Sequence, residues 1–167
     1  VLSLKAAEET LESGSDVLVM DADVLYHPEI LKRLVESPAE NCFLLDHDFE
    51  PGDEPVKIAL HDGRIVDFRK ILPERLEYDQ IGESVGFFKF GQRAAKCINE
   101  ECARFEAEGL GDAPHEEALR DVLLSCPLAF GYEDVSGLPW IEIDFAEDVV
   151  RAGKEILPAI RVDYPGF

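Results

Sequence analysis

The chain has 167 residues, with 36 Asp and Glu against 16 Lys and Arg and a formal net charge of −20. That length suits one domain with a core of its own, and 46% apolar with 31% charged residues are the proportions of a globular protein, not of a disordered one. No run approaches the roughly 20 apolar residues of a membrane span, no apolar leader is evident at the start, and a polyanion lacks the clustered Lys and Arg that neutralise nucleic-acid phosphates. Membrane and nucleic acid are therefore both excluded as expected partners.

In chain order, the opening residues predict a helix from near Ser3, with Leu4, Ala7 and Leu11 on one face and Gly14 closing it. Asp16-Val17-Leu18-Val19-Met20 is a short apolar run suited to a strand buried on both faces, and it ends abruptly in Asp21-Ala22-Asp23. Pro28 opens a helix striped by Ile30, Leu31, Leu34 and Val35. Residues 41–45 predict a second buried strand, followed by an acidic loop over 46–55. Val56, Ile58 and Leu60 alternate with Lys57 and Ala59, and Asp62-Gly63 turns the chain into Arg64-Ile65-Val66-Asp67-Phe68, a β-hairpin pattern. Residues 84–90 predict another strand. Ala94, Ile98, Cys102 and Phe105 then stripe a helix ended by Gly109, and Leu119, Val122 and Leu123 stripe one that starts near Glu116. A last strand over 140–144 leads into a closing helix around Val149, Ala152 and Ile156, and an irregular tail is expected from Pro158 onward. This alternation predicts an α/β fold, with a mostly parallel central sheet, helices on both faces and an inserted β-hairpin.

The four cysteines, Cys42, Cys97, Cys102 and Cys126, form no Cys-x-x-Cys pair and suit no common zinc pattern, which predicts free buried thiols in a cytoplasmic protein. The chain begins Val1-Leu2-Ser3 without Met, which fits a processed or trimmed start or the interior of a longer protein.

Two predicted strands stop on carboxylates. Asp21 and Asp23 follow the first apolar run, and Glu142 and Asp144 stand two apart in the last strand, on the face of Trp140, while Ile141 and Ile143 turn to the core. In open α/β sheets ligands bind beyond the carboxyl ends of the strands. Carboxylates grouped there repel one another unless a cation lies between them, and Mg2+ suits the place because it takes one or two carboxylates together with phosphate oxygens. Plainer roles exist for the same residues: Asp144 stands in a capping-box arrangement with Glu147, and Asp23 suits an ordinary turn. Two such motifs, each ending a buried strand, favour the metal.

Leu18-Val19-Met20-Asp21-Ala22-Asp23-Val24-Leu25-Tyr26 resembles the metal-binding strand end of nucleotidyltransferases with the GT-A-like fold, the superfamily of nucleoside-diphosphate-sugar pyrophosphorylases and phosphocholine cytidylyltransferases. Further segments follow in that family's order. Ser3-Leu4 before a helix looks like its segment ahead of the metal strand. Phe68-Arg69-Lys70 is similar to its Glu-Lys-Pro element, Gly82-Glu83-Ser84-Val85-Gly86-Phe87-Phe88 resembles its acceptor-binding strand, and Trp140-Ile141-Glu142-Ile143-Asp144 resembles its second metal site. The resemblance implies Asp23 and Asp144 as metal ligands and catalytic residues, Asp21 as a weaker ligand or supporting partner, and Glu142 beside them. It also implies Lys70 on the acceptor phosphate, Glu83 on an acceptor hydroxyl or ammonium group, and Tyr26 lining the pocket. The Asp-Ala-Asp and Trp-x-Glu-Ile-Asp forms lean toward the cytidylyltransferases, which implies CTP and a small phosphorylated alcohol or phosphonate as substrates.

The resemblance runs to about Pro158, which implies a nucleotidyltransferase-like domain over 1–157 and a tail over 158–167. The family's Gly-rich phosphate loop with its Arg and Lys has no counterpart here, since the twelve glycines are scattered singly. The sequence is thus expected to supply the metal and acceptor half of a site. A GT-A glycosyltransferase using Asp21-Ala22-Asp23, and a non-catalytic domain of the same fold, are the alternatives; oligomeric assembly stays open. None of the histidines is required for chemistry: His27 suits helix entry, His47 and His61 solvent, and His115 with Glu116 and Glu117 a helix start. A role for Glu117 or Lys57 near the acceptor is the less favoured reading of each.

Overall fold

A computed structural model of the chain describes residues 1–49 and 52–166, so Glu50 and Pro51 of the expected acidic loop lie outside the described residues. The elements are α1 (Leu2–Lys5), α2 (Glu8–Leu11), β1 (Val17–Met20), β2 (Val24–Tyr26), α3 (Pro28–Glu36), β3 (Cys42–Asp46), β4 (Lys57–His61), β5 (Arg64–Arg69), β6 (Gln80–Phe90), α4 (Gln92–Ala107), α5 (His115–Ser125), β7 (Gly131–Asp134), β8 (Trp140–Glu142), α6 (Ala146–Arg151), a π-helical turn (Ala152–Ile156) and α7 (Leu157–Asp163).

The main sheet runs β5-β4-β6-β3-β7, with β1 added against β6; β2 and β8 form a separate two-stranded ribbon. The long β6 meets β4 along its first part, Lys57 opposite Glu83, and β1 along its last part, Met20 opposite Phe87. The α/β class is as expected, but the mostly parallel sheet is not: β6 runs antiparallel to β1, β3 and β4, the hairpin β4–β5 is antiparallel, and among the described residues only β3 and β7 run parallel. Helix–strand alternation dictates parallel pairing only where each helix carries the chain back to a neighbouring strand. Here α3 leads from β2 to β3, which do not pair, while the hairpin returns the chain directly into β6 at the centre.

Both faces of the sheet are covered. β3 is buried along its whole length and alternates: Phe43 and Leu45 join Phe88, Phe90 and the apolar sides of α1, α2, α4 and α5, while Cys42 and Leu44 join Val85, Phe87 and the Ile30–Leu34 stripe of α3. A strand sandwiched this way must be apolar throughout, which is how it reads.

Other expectations need correction. The first helix is two short helices. The last strand ends at Glu142, so Asp144 lies beyond it. The tail is helical to Asp163, anchored by fully buried Ile160 and by Asp163, 3.3 Å from His27 Nε2. Cys97 and Cys126 are joined as a disulfide, leaving Cys42 and Cys102 as the buried free thiols. His47 is only partly exposed and lies 2.9 Å from the Ile81 carbonyl. No helix among the described residues is long and apolar enough to cross a membrane.

Candidate functional site

The site forms where the ribbon meets the main sheet. Past β1, the Asp21 amide donates to the Gly86 carbonyl at 3.1 Å, and the chain then turns through Ala22 into β2. β2 pairs with β8, Val24 opposite Glu142, and the Ile143 amide donates to the Asp23 carbonyl at 2.9 Å. That bond sets Asp23 between the two residues flanking Ile143. One carboxylate oxygen each from Asp23, Glu142 and Asp144 lies within 4.8 Å of the others, and all three residues are exposed. The pairing of β2 with β8, and not an extended strand through Asp144, brings them together.

Asp21 is turned the other way. Its Oδ1 lies 3.5 Å from His115 Nε2, and the opposite ring nitrogen is 3.4 Å from Glu116 Oε2. Its carboxyl fits only because residue 86 is glycine at φ +77°; a Cβ there would come within 2.1 Å of Asp21 Oδ2. Burial holds the Asp21 carboxyl above its ordinary range against the pull of His115, with repulsion from Glu116 and Asp23 adding to the rise.

An open cavity of about 440 Å³ adjoins the carboxylates, with Lys70, Glu83, Glu116, Trp140, Glu142 and Asp144 on its wall. Lys70 reaches it from the end of β5, its Nζ 3.2 Å from Glu54 Oε2. Lys57 stays outside and braces this corner, donating to the Lys70 carbonyl at 2.6 Å and the Pro55 carbonyl at 3.2 Å. Trp140 is held by an indole N–H bond of 2.7 Å to buried Asp46, which also accepts from the Asp48 amide at 2.8 Å. Glu83 is pushed up to about 7 by burial and by repulsion from Asp46 and Glu142, against the pull of Lys57. Glu142, although exposed, reaches about 7 as well, through hydration lost against the cavity wall and repulsion from Asp144, Asp23 and Asp21, which Lys70 only partly offsets.

Of the residues singled out from the sequence, the structure thus gathers Asp23, Glu142 and Asp144, and puts Lys70 and Glu83 on the same cavity. It does not place Asp21 in that trio. Tyr26 packs edge-on against Phe87 at 4.8 Å, in the core under α3 and off the cavity wall. Glu117 is engaged by Arg69, at 2.9 and 3.1 Å. Sequence reasoning missed Asp46 and Glu116. Asp46 follows an apolar run in the sequence as Asp21 does, and that signal could have found it, although only β3 and not β1 is buried throughout; Glu116 has no mark beyond its place in a helix's first turn.

An oxygen-only set of three converging carboxylates fits a hard divalent cation such as Mg2+ and fits thiolate- or imidazole-seeking metals poorly. The rise of Glu142 to about 7 comes first from lost hydration, with the crowding of Asp144, Asp23 and Asp21 adding to it, and a bound cation would relieve the second of these.

No family model matches the sequence, and no curated protein does. Solved structures do share the fold. The inositol-1-phosphate CTP transferase of T. maritima superposes with a TM-score of 0.67 at 18% identity, over 96% of this chain and 61% of that one. The CTP:phosphocholine cytidylyltransferase of Streptococcus pneumoniae gives 0.61 at 17% identity, over 93% and 62%. A Bacillus anthracis protein assigned as a glucose-1-phosphate thymidylyltransferase gives 0.63 at 14%, over 90% and 58%. The chain therefore shares the fold of these proteins, and it spans about three fifths of their length.

Proposed function

We propose that this chain forms the metal- and acceptor-binding part of a Mg2+-dependent nucleotidyltransferase, which moves CMP from CTP onto a small phosphorylated alcohol or phosphonate and releases pyrophosphate. The observation that carries the reading is the meeting of Asp23, Glu142 and Asp144 within 4.8 Å beside a cavity, on a fold shared with nucleotidyltransferases. Two of the proteins with this fold are named for CTP, which supports the choice of nucleotide.

In the reaction, an acceptor phosphate oxygen bonds to the α-phosphorus of the nucleotide and the bond to the bridging oxygen of pyrophosphate breaks. The nucleophile is already ionised near neutral pH, so no general base is required, and the protein's work is placement and charge relief. Asp23, Glu142 and Asp144 would hold Mg2+, which supplies electrostatic relief between the two anionic substrates. Lys70 neutralises charge on the acceptor phosphate. Glu83, with a pKa of about 7, donates or accepts a hydrogen bond at the acceptor's hydroxyl or ammonium end according to its protonation. Trp140, fixed by Asp46, gives the acceptor a flat apolar wall.

The test is pyrophosphate release by the full-length gene product with CTP, Mg2+ and phosphocholine or inositol 1-phosphate. Asp23→Asn and Asp144→Asn should each reduce turnover by orders of magnitude; unchanged turnover in both overturns the assignment. Release of a nucleoside diphosphate instead of pyrophosphate would indicate a glycosyltransferase, a reading that the turning of Asp21 toward His115 and away from Asp23 does not favour.

A further inference from the structure

We infer that Cys97 and Cys126 form a thiol–disulfide exchange site for a small anionic thiol such as glutathione. Cys97 lies on α4 and Cys126 caps the C-terminal end of α5; the bond between them closes a 29-residue separation that contains the whole of α5. Both are partly exposed, on an open surface cleft of about 360 Å³ whose wall also includes Arg93, Lys96, Glu100 and Leu128. Exchange requires access to sulfur, and the cleft gives it.

The charges around the cleft select the partner. On a molecule at −20, an anionic thiol is repelled from most of the surface, yet here two cations stand against one carboxylate, with Lys96 Nζ 3.8 Å from Glu100. The same cations favour the thiolate form of whichever cysteine is released. Cys42 and Cys102 are the internal contrast: both are fully buried, and burial pushes both thiols up, away from the reactive form.

A glutathione thiolate attacks one sulfur of the pair, the Cys97–Cys126 bond breaks, and its electron pair leaves on the other cysteine as thiolate. A second glutathione thiolate attacks the glutathione sulfur of the mixed disulfide, giving glutathione disulfide and a second cysteine thiolate. The protein gains two electrons, and two glutathiones are oxidised to one disulfide. Opening the bond removes the covalent link between α4 and the end of the helix whose first turn supplies Glu116 to the cavity.

The experiment equilibrates the native chain in glutathione buffers of set oxidised-to-reduced ratio, quenches with acid, alkylates with N-ethylmaleimide and maps the labelled peptides. Excess reduced glutathione should give label at positions 97 and 126 but not at 42 and 102, and excess oxidised glutathione should give the linked peptide. In the Cys97→Ser chain, Cys126 should be captured as a mixed disulfide, and Arg93→Glu with Lys96→Glu should slow that capture roughly tenfold. Label at both positions under oxidised glutathione, or no label at either under excess reduced glutathione in the native chain, overturns the proposal. So does capture at Cys126 whose rate the charge reversals leave unchanged.

Discussion

Gly86 lies in the middle of β6 at φ +77°, with the Asp21 carboxylate in the space a side chain would fill. Gly86→Ala imposes both a left-handed backbone on an L-residue and a collision, so it should cost about 1–3 kcal/mol in urea unfolding. Glu83 and Glu142 make a second expectation. Each holds its proton up to about 7 in the folded chain, against an ordinary value of 4.5. Between those limits the folded state carries protons that the unfolded state has released, so their contribution to stability is fullest below pH 4.5 and falls as pH rises through about 7. Thermal midpoints measured across that window should decline less steeply in a Glu83→Gln, Glu142→Gln chain than in the parent. Mg2+ should raise the parent's midpoint more at about pH 8 than at about pH 5, because bound cation and proton compete for the same oxygens. At this scale the sequence was informative where chemistry clusters locally, as in Asp21-Ala22-Asp23 and Glu142-Ile143-Asp144. It was silent on which of those carboxylates turn toward one another, since a hydrogen bond between distant residues decides that.

At the level of elements, α5 is fastened to β5 by two ion pairs of different character. Arg120 binds Asp67 through Nε at 2.6 Å and Nη2 at 3.1 Å, with Asp67 buried; Arg69 binds Glu117 where both side chains are about one third exposed. Removing one member of a buried pair strands the other charge, so Arg120→Ala should cost about 3–5 kcal/mol, whereas Glu117→Ala should cost at most about 1 kcal/mol. Denaturant midpoints of the two variants measure the contrast. Neither pair has a local signature, and neither was foreseen. The same holds for β2 and β7, which have too few residues for a periodicity and exist because β8 and β3 offer them partners. The hairpin and the amphipathic α3 and α4 were legible because turn chemistry and helical stripes are local; the direction of the strands was not, because it is set by who pairs with whom.

Taken whole, the molecule is a sheet with an apolar layer on each face and a three-residue ribbon at one rim, whose strands come from near the two ends of the described chain. So small a ribbon cannot repay the loop closure it requires until the sheet beneath is in place. Ile141→Val should therefore destabilise by about 1 kcal/mol, appearing almost entirely as faster unfolding with refolding unchanged in stopped-flow measurements. During synthesis the consequence is stricter. Asp23 leaves the ribosome with everything from α3 to β7 still to come before its partners, so a nascent chain has no cation cradle to fill until β8 and Asp144 have emerged.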